Sequence, residues 1–237
     1  MDTNDIIKWW GFPSATIINR NLPKKQIYSH MKNTKDKQFL QNFVQSIYLL
    51  ASLKTENTRI EVYEDDKVLY QEIQFLYVEM KDKGESNKIY KILTHLIPYP
   101  LVILFEESDC FTIYTGRFER NSEDFLKLVN IYPSPVYQKR DLENVLQQLT
   151  LIDLPRQNFK TFYDGLRNEI ISATAKLQYD ENIGSITAEE KDQLDNLKKQ
   201  IEDLRNSIKK ENQLNRKIDM QMKLKNLKDE LSSKLNQ

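Results

Sequence analysis

In three stretches of the first fifty residues, apolar residues recur every three or four positions, which is the spacing of amphipathic α-helices. The spacing predicts three helices, over residues 3–10, 23–31 and 35–50. The third is the longest, and it places Phe39, Phe43 and Ile47 on one face. This part of the chain is therefore predicted to supply helices that pack on a core formed elsewhere.

Beyond residue 59 the apolar residues alternate with polar ones, and a period of two predicts β-strands. Residues 68–81 form the strongest predicted strand, and apolar residues on both of its faces indicate a central, covered strand. The region is predicted to contain a strand near residues 60–62, a turn at 64–67, a helix over 86–96, and strands over 101–105, 111–115 and 126–131. These elements predict an α+β or α/β domain with a mixed β-sheet flanked by helices.

The chain after residue 141 is predicted to be helical again. Helices over residues 142–149 and 158–179 precede a linker at residues 180–186. Thr187 and Glu190 have the spacing of a capping box, which marks the start of a separate helical module. The sequence thus predicts two domains, a globular domain over residues 1–180 and a helical hairpin or coiled coil over residues 187–237.

The helical module contains no Gly or Pro, and its leucines and isoleucines recur at alternating steps of three and four. This spacing forms a narrow apolar seam, which must pack on a second helix because it cannot be buried alone in water. The seam residues are Leu194, Leu197, Ile201, Leu204 and Ile208, followed in another phase by Leu224, Leu227 and Leu231. We predict that they bind a protein partner.

The change of phase along the seam has two explanations. The chain turns near residues 209–213 and folds back as a hairpin, or one helix continues with a stutter. The absence of Gly and Pro argues against a turn, whereas a single helix of this length would extend roughly 75 Å. We favour the hairpin.

The charges of the chain balance, with 35 basic and 35 acidic residues, so net charge gives no argument for nucleic acid or a membrane surface. A single cysteine excludes an internal disulfide bond and a cysteine-rich zinc site. The first residues lack the pattern of a signal peptide, and no segment approaches the roughly 20 apolar residues of a transmembrane helix. We therefore expect a cytoplasmic protein without membrane contact.

Glu79 and Lys81 form an E-x-K motif at the end of the predicted central strand. Alternation places both on one strand face, where the acid can bind Mg²⁺ and the lysine can steady a phosphate or the attacking water. Asp65 or Asp66 would supply the second acid of a restriction-type nuclease. The alternative is an ordinary charged strand end and an ordinary hairpin turn, and we favour it, so no catalytic residue, metal or cofactor is predicted.

A basic stretch lies within the helical module. Its main residues are Lys209, Lys210, Arg216, Lys217 and Lys223. A basic helix can lie against phosphates and bind them in a salt-dependent way. The alternative is the solvated exterior of a coiled coil, where lysine is common, and the neutral net charge of the chain favours it.

Four segments of the chain resemble a known family. They are GFPSATIINRNLPKKQIY, QEIQFLYVEMK, IPYPLVILFE and ENQLNRKIDMQMKLKNLKDEL, in this order. Together they resemble bacterial domain-of-unknown-function family 4391 over almost the whole chain. No activity is settled for that family, and its pattern supplies no functional residue. The resemblance implies a genetic context with DNA methyltransferases and helicases, similar to restriction-type phage-defence systems.

Our leading hypothesis is a non-enzymatic accessory protein of such a bacterial system. It binds a partner protein, such as a DNA methyltransferase or helicase of the same system, through its terminal helices, with DNA contact at the basic stretch. The first alternative is a Mg²⁺-dependent nuclease that uses the E-x-K strand. The second is a homodimer held by the coiled coil, with a sheet domain that binds an unknown ligand.

Overall fold

The computed structural model describes residues 1–29, 31–82, 84–120, 126–178 and 184–235. The chain divides into two compact units, Met1–Ile170 and Ile171–Gln237. The first unit contains a β-sheet with helices, and the second contains the end of the helix Phe159–Gln178 and a pair of further long helices. Most of the predicted linker at residues 180–186 lies outside the described residues.

The helices are α1 (Thr3–Trp10), α2 (Lys24–Ser29), α3 (Thr34–Phe43), α4 (Thr55–Thr58), α5 (Ser86–Leu96), α6 (Leu142–Gln148), α7 (Phe159–Gln178), α8 (Ala188–Lys210) and α9 (Leu214–Leu235). The strands are β1 (Ile17–Asn21), β2 (Val44–Lys54), β3 (Tyr63–Glu64), β4 (Leu69–Tyr70), β5 (Glu72–Met80), β6 (Leu101–Glu107), β7 (Cys110–Arg120), β8 (Leu126–Pro133) and β9 (Tyr137–Gln138).

Seven strands form one mixed sheet in the order β1–β2–β5–β6–β7–β8, with β9 paired to β7. β5 and β6 are parallel and are connected by α5, whereas the other pairs among the described strands are antiparallel. β3 and β4 form a small sheet of their own. The mixed sheet with flanking helices confirms the predicted fold class.

Helices cover both faces of the sheet. On one face α1, α6 and α7 pack on the sheet, and the buried rings of Trp10 and Phe75 meet edge-on with centroids 5.3 Å apart. On the other face α3 and α5 supply buried residues such as Leu40 and Ile89. A core on each face explains why β5 is apolar on both sides, as the sequence predicts for a central strand.

The predicted helix over residues 35–50 is wrong in its second half, where the structure has β2. β2 lies between β1 and β5 and is bonded on both edges. Its register shifts between Val44 and Ser46 and again between residues 49 and 51, which are β-bulges. A bulge inserts one residue, so Val44 and Ile47 face the same core although they are three positions apart. The bulges therefore give this strand a helix-like spacing.

Two other differences concern short strands. The predicted strand over residues 68–81 is interrupted at Gln71, so β4 pairs with β3 while β5 enters the main sheet. β1 was not predicted, because its residues are mostly exposed and show no alternation. It is the edge strand beside β2.

A shared hydrogen-bond acceptor joins the two helical layers at the first residue of β6. Tyr163 of α7 and Tyr90 of α5 belong to opposite cores, and both hydroxyls donate to the backbone oxygen of Leu101, at 2.8 and 2.9 Å. The Tyr163 hydroxyl also accepts from the backbone N–H of Gly116 at 2.9 Å. A Cβ atom on Gly116 would lie 2.6 Å from Leu128 Cδ1 and 3.0 Å from the Tyr90 hydroxyl, so a larger residue here would displace the Leu128 side chain and press on the Tyr90 hydroxyl.

A buried carboxylate organises the other end of the parallel strand pair. Glu106 of β6 accepts hydrogen bonds from the Tyr77 hydroxyl and from the Met1 amine, and it forms an ion pair with Lys139. Burial by itself raises the pKa of Glu106, but Lys139, the Met1 amine and Tyr77 outweigh burial and hold this pKa below its ordinary value. Burial and the contact with Glu106 raise the pKa of Tyr77, so its hydroxyl remains a donor.

The shared acceptor predicts a specific cost for Tyr163→Phe. The substitution leaves the buried Gly116 N–H without its acceptor, so we expect a loss of about 1–3 kcal/mol in the free energy of unfolding. Urea titration measures the loss. The control is Tyr48→Phe, because the hydroxyl of this half-buried residue makes no hydrogen bond within the described residues, and we expect a change below about 0.5 kcal/mol. Equal losses in the two variants would contradict the role of this hydrogen bond.

The charged cluster predicts a pH dependence for Glu106→Gln. Because the folded pKa of Glu106 is lowered, its carboxylate stabilises the fold above the ordinary value of about 4.3, and this contribution is lost as pH falls through the folded pKa. We expect the variant to be less stable than wild type near neutral pH and to lose less stability on acidification. Urea midpoints measured from neutral pH down to about pH 3 test this. The exposed Glu119→Gln is the control, and parallel curves for wild type and Glu106→Gln would refute the prediction.

Candidate functional site

The second unit carries the residues that the sequence predicts for partner binding, and its helix α8 begins where the sequence predicts. The Thr187 hydroxyl accepts from the Glu190 backbone N–H at 3.3 Å, and Glu190 Oε2 accepts from the Thr187 backbone N–H at 2.7 Å. This reciprocal pair is the capping box that the sequence indicates. It satisfies donors at the helix start that would otherwise have no partner.

The two terminal helices fold back on each other as a hairpin. α8 ends at Lys210 and α9 begins at Leu214, and Lys234 near the end of α9 donates to Gln193 near the start of α8 at 2.9 Å. The turn has neither Gly nor Pro; within it Glu211 Oε1 accepts from the Gln213 backbone N–H at 2.8 Å. This side-chain bond stabilises a turn that the composition argues against, and the predicted hairpin is confirmed.

The seam of the hairpin is buried unevenly. Leu194, Leu197 and Ile201 of α8 are buried, whereas Leu204 and Ile208, nearer the turn, are half-buried. On α9 the predicted seam residues Leu224, Leu227 and Leu231 are all half-buried, and no described residue of α9 is fully buried. The hairpin therefore leaves part of its own seam accessible.

A second apolar stripe lies on α9, outside the seam. Leu214, Ile218 and Met222 are exposed to 71%, 46% and 63%. Steps of four place these three side chains along one face of the helix. The sequence pattern does not single out this stripe, because the seam already accounts for the apolar spacing of the module, although the steps of four are a usable signal.

The part of the hairpin nearest the turn, residues 205–225, is basic. We call it the tip: it has seven basic and two acidic residues, a net charge of +5. All five residues predicted for nucleic-acid binding lie in it, and four of them are exposed; only Lys217 is half-buried. Lys217 and Lys225 follow Leu214 and Met222 by three positions, so they flank the exposed stripe on the same helix face.

A groove between α8 and α9 repeats the combination of apolar and basic side chains. Its volume is about 750 Å³. Ile201, Leu231 and Leu235 supply its apolar lining, and the charged residues around it are Lys198, Glu202, Arg205, Lys209 and Lys228. The hairpin thus presents apolar surface framed by positive charge along much of its length.

The E-x-K residues lie at the end of β5, where each forms a hydrogen bond with a neighbouring segment of the first unit. Glu79 accepts a hydrogen bond from the Ser46 hydroxyl at 2.8 Å, and Lys81 Nζ donates to the Gln41 backbone oxygen at 2.8 Å. Burial and the nearby Lys81 lower the pKa of Lys24, and Glu79 opposes this shift. Two lysines therefore lie near one glutamate at this strand end.

The structure does not place Asp65 or Asp66, the second acid of the alternative nuclease hypothesis, beside Glu79. Asp65 lies in the turn between β3 and β4, where it accepts from the backbone N–H groups of Lys67 and Val68 and from the Tyr63 hydroxyl, and these bonds lower its pKa. Asp66 is exposed in the same turn. Glu79 lies about 23 Å along β5 from the strand end that follows β4. Within the described ranges no three Asp, Glu, His or Cys side chains group so as to hold a metal ion.

Comparison with known proteins identifies the family and nothing more specific. No curated protein and no solved structure matches the chain. No helix in the described part of the chain is long and apolar enough to cross a membrane. The family called Domain of unknown function (DUF4391) matches residues 10–231 of the 237 residues. The chain therefore belongs to the DUF4391 family.

Proposed function

We propose that this protein is a non-enzymatic assembly subunit whose hairpin tip binds an acidic amphipathic helix of a partner protein. The observation that carries the proposal is the exposed stripe of Leu214, Ile218 and Met222 within a strongly basic segment. A helix with apolar residues on one face and carboxylates at its margins matches both properties. Helix-in-groove recognition of this kind uses anchors spaced by three and four residues.

The exposed stripe supplies enough free energy to matter for binding. Full burial of one aliphatic side chain contributes roughly 1.5–3 kcal/mol relative to full exposure. Covering the exposed fractions of the three stripe residues would contribute roughly 3–5 kcal/mol, before the entropic costs of association. The half-buried seam residues of α9 would add to this if the partner helix lies along the hairpin.

The charge of the tip favours a different protein over a second copy. Symmetric contact between two tips would bring together two segments of net charge +5, which repel. A second copy that offered the acidic first half of α8 would present Leu194 and Leu197, which are already buried and cannot cover the stripe. An acidic amphipathic helix of another protein would both complement the charge of the tip and cover the stripe.

The apolar stripe also favours a protein over DNA as the main partner. Phosphates would complement the basic residues of the tip, but they would not remove Leu214, Ile218 and Met222 from water. We therefore propose protein binding as the primary interaction, with DNA contact through the remaining basic residues as a secondary one.

The genetic context that the family resemblance implies indicates which kind of enzyme we propose as the partner. Members of this family resemble accessory components encoded with DNA methyltransferases and helicases of restriction-like phage-defence systems. We propose a cytoplasmic role in such a system, in which the hairpin docks this subunit on one of those enzymes. The proposal needs no catalytic residue, metal or cofactor in this chain.

Removal of the stripe should abolish partner binding. We expect the triple variant Leu214→Gln, Ile218→Gln and Met222→Gln to lose the partner, because Gln keeps helix propensity but removes apolar contact. Full-length tagged protein is purified from its native host at low and high salt after nuclease treatment, and bound proteins are identified by mass spectrometry and crosslinking to α9. The control is Asn215→Gln, Asp219→Gln and Asn226→Gln on the same helix. Undiminished recovery by the stripe variant would contradict the proposal.

The lysines beside the stripe should contribute in a salt-dependent way. We expect Lys217→Gln with Lys225→Gln to weaken binding of the recovered partner several-fold at low salt, with a smaller difference at high salt. The control is Arg216→Gln with Lys223→Gln, which removes the same charge from a different face of α9. Affinity is measured by calorimetry with purified components. Equal losses in the two pairs would mean that only overall charge matters and that the stripe is not the contact surface.

A further inference from the structure

A groove in the first unit combines cationic side chains with an apolar pocket. One cavity, of about 560 Å³, is lined by Lys88, Lys91 and His95 of α5 and by Lys32 and Asn33 next to the start of α3. A neighbouring cavity of about 180 Å³ is lined chiefly by aliphatic side chains, namely Leu22, Ile27, Ile47, Leu93, Leu96 and Ile97. Leu96 lines both cavities, so the cationic space and the apolar space adjoin.

Among the described residues, the cationic space is lined by more basic than acidic side chains. Steps of three and four place Lys88, Lys91 and His95 on one face of α5. Among the residues that the structure describes, neither these two lysines nor Lys32 forms an ion pair. Asp36 is the acid in the lining, and one of its oxygens accepts a hydrogen bond from the Asn33 side chain at 2.7 Å. Three exposed lysines that have no ion-pair partner in the described part of the chain therefore line a space that also contains one carboxylate.

Two further features concern the charges around this space. Lys88 Nζ lies 3.7 Å from the ring centroid of Phe39, which holds the lysine between α5 and α3 without cancelling its charge. The N-terminal end of α3 follows Asn33, and the dipole of a helix adds partial positive charge at that end. The ring contact fixes where the Lys88 ammonium group lies, and the helix end favours an anion beside it.

We infer that this groove binds a small amphiphilic anion, with a carboxylate or phosphate head at the lysines and an aliphatic chain in the adjoining pocket. Each end of the groove matches one end of such a molecule. Ile47 and Leu93 in the apolar pocket are buried and the remaining aliphatic residues are half-buried, so the pocket is recessed and small. A recessed pocket of this size suits an alkyl chain better than the side chains of a protein helix.

Binding of alkyl anions to the full-length protein tests the inference. Calorimetry with octanoate, decanoate and decyl phosphate should give saturable binding, with an affinity that rises up to about fourfold for each added methylene that is buried. Lys88→Ala with Lys91→Ala should weaken decanoate binding about tenfold or more, because two charge-assisted contacts are lost. The control is Lys67→Ala with Lys127→Ala, two exposed lysines that do not line the groove.

Comparison ligands separate this site from non-specific uptake. Decanol and decyltrimethylammonium should bind much more weakly than decanoate, and acetate should not bind measurably. The Leu214→Gln, Ile218→Gln and Met222→Gln variant should bind decanoate normally, so this test is independent of the hairpin proposal. Equal binding of decanol and decanoate, absence of saturable binding, or unchanged affinity in the Lys88/Lys91 variant would overturn the inference. Displacement of decanoate at lower concentration by an acidic, leucine-containing peptide would also overturn it, in favour of a peptide site.

Discussion

The backbone oxygen of Leu101 accepts hydrogen bonds from two buried tyrosines that belong to opposite faces of the sheet. Leu101 is the first residue of β6, the strand that returns parallel to β5 after the α5 crossover. Tyr90 fixes α5 on one face, and Tyr163 fixes α7 on the other. A parallel strand pair needs a crossover connection, here α5, and this one acceptor bonds both the crossover helix and a helix on the opposite face of the sheet.

The position of α5 has a consequence beyond the core. Its inner face, with Ile89 and Tyr90, is buried against the sheet, and the same helix then turns Lys88, Lys91 and His95 toward α3. The groove lined by these residues therefore depends on the orientation of α5 on the sheet. In another orientation of α5 the same exposed side chains would not share one groove with Lys32.

The candidate binding surface of the hairpin follows from incomplete burial. Two helices can cover one seam between them, but the outer faces of both remain in water. In α9 the seam and the exposed stripe occupy different parts of the same helix, so pairing with α8 half-buries the seam residues and leaves the stripe residues exposed. The strong positive charge of the tip then restricts which kind of surface can cover the stripe. The exposed stripe and the charge of the tip together thus restrict the proposed partner to a surface that is both apolar and acidic.

The sequence by itself determined the elements that depend on local signals. The capping box at Thr187, the helix α5 and the buried strand β6 were predicted because caps, helical periodicity and short apolar runs act within a few residues. Only the tertiary structure decided that residues 44–54 form the strand β2. Bulges in its pairing with β5 give its buried residues a spacing that resembles that of a helix. The tertiary structure also decided that Asp65 lies away from Glu79 and that Lys32, Lys88 and Lys91 line one groove, because both arrangements depend on which distant segments are brought together.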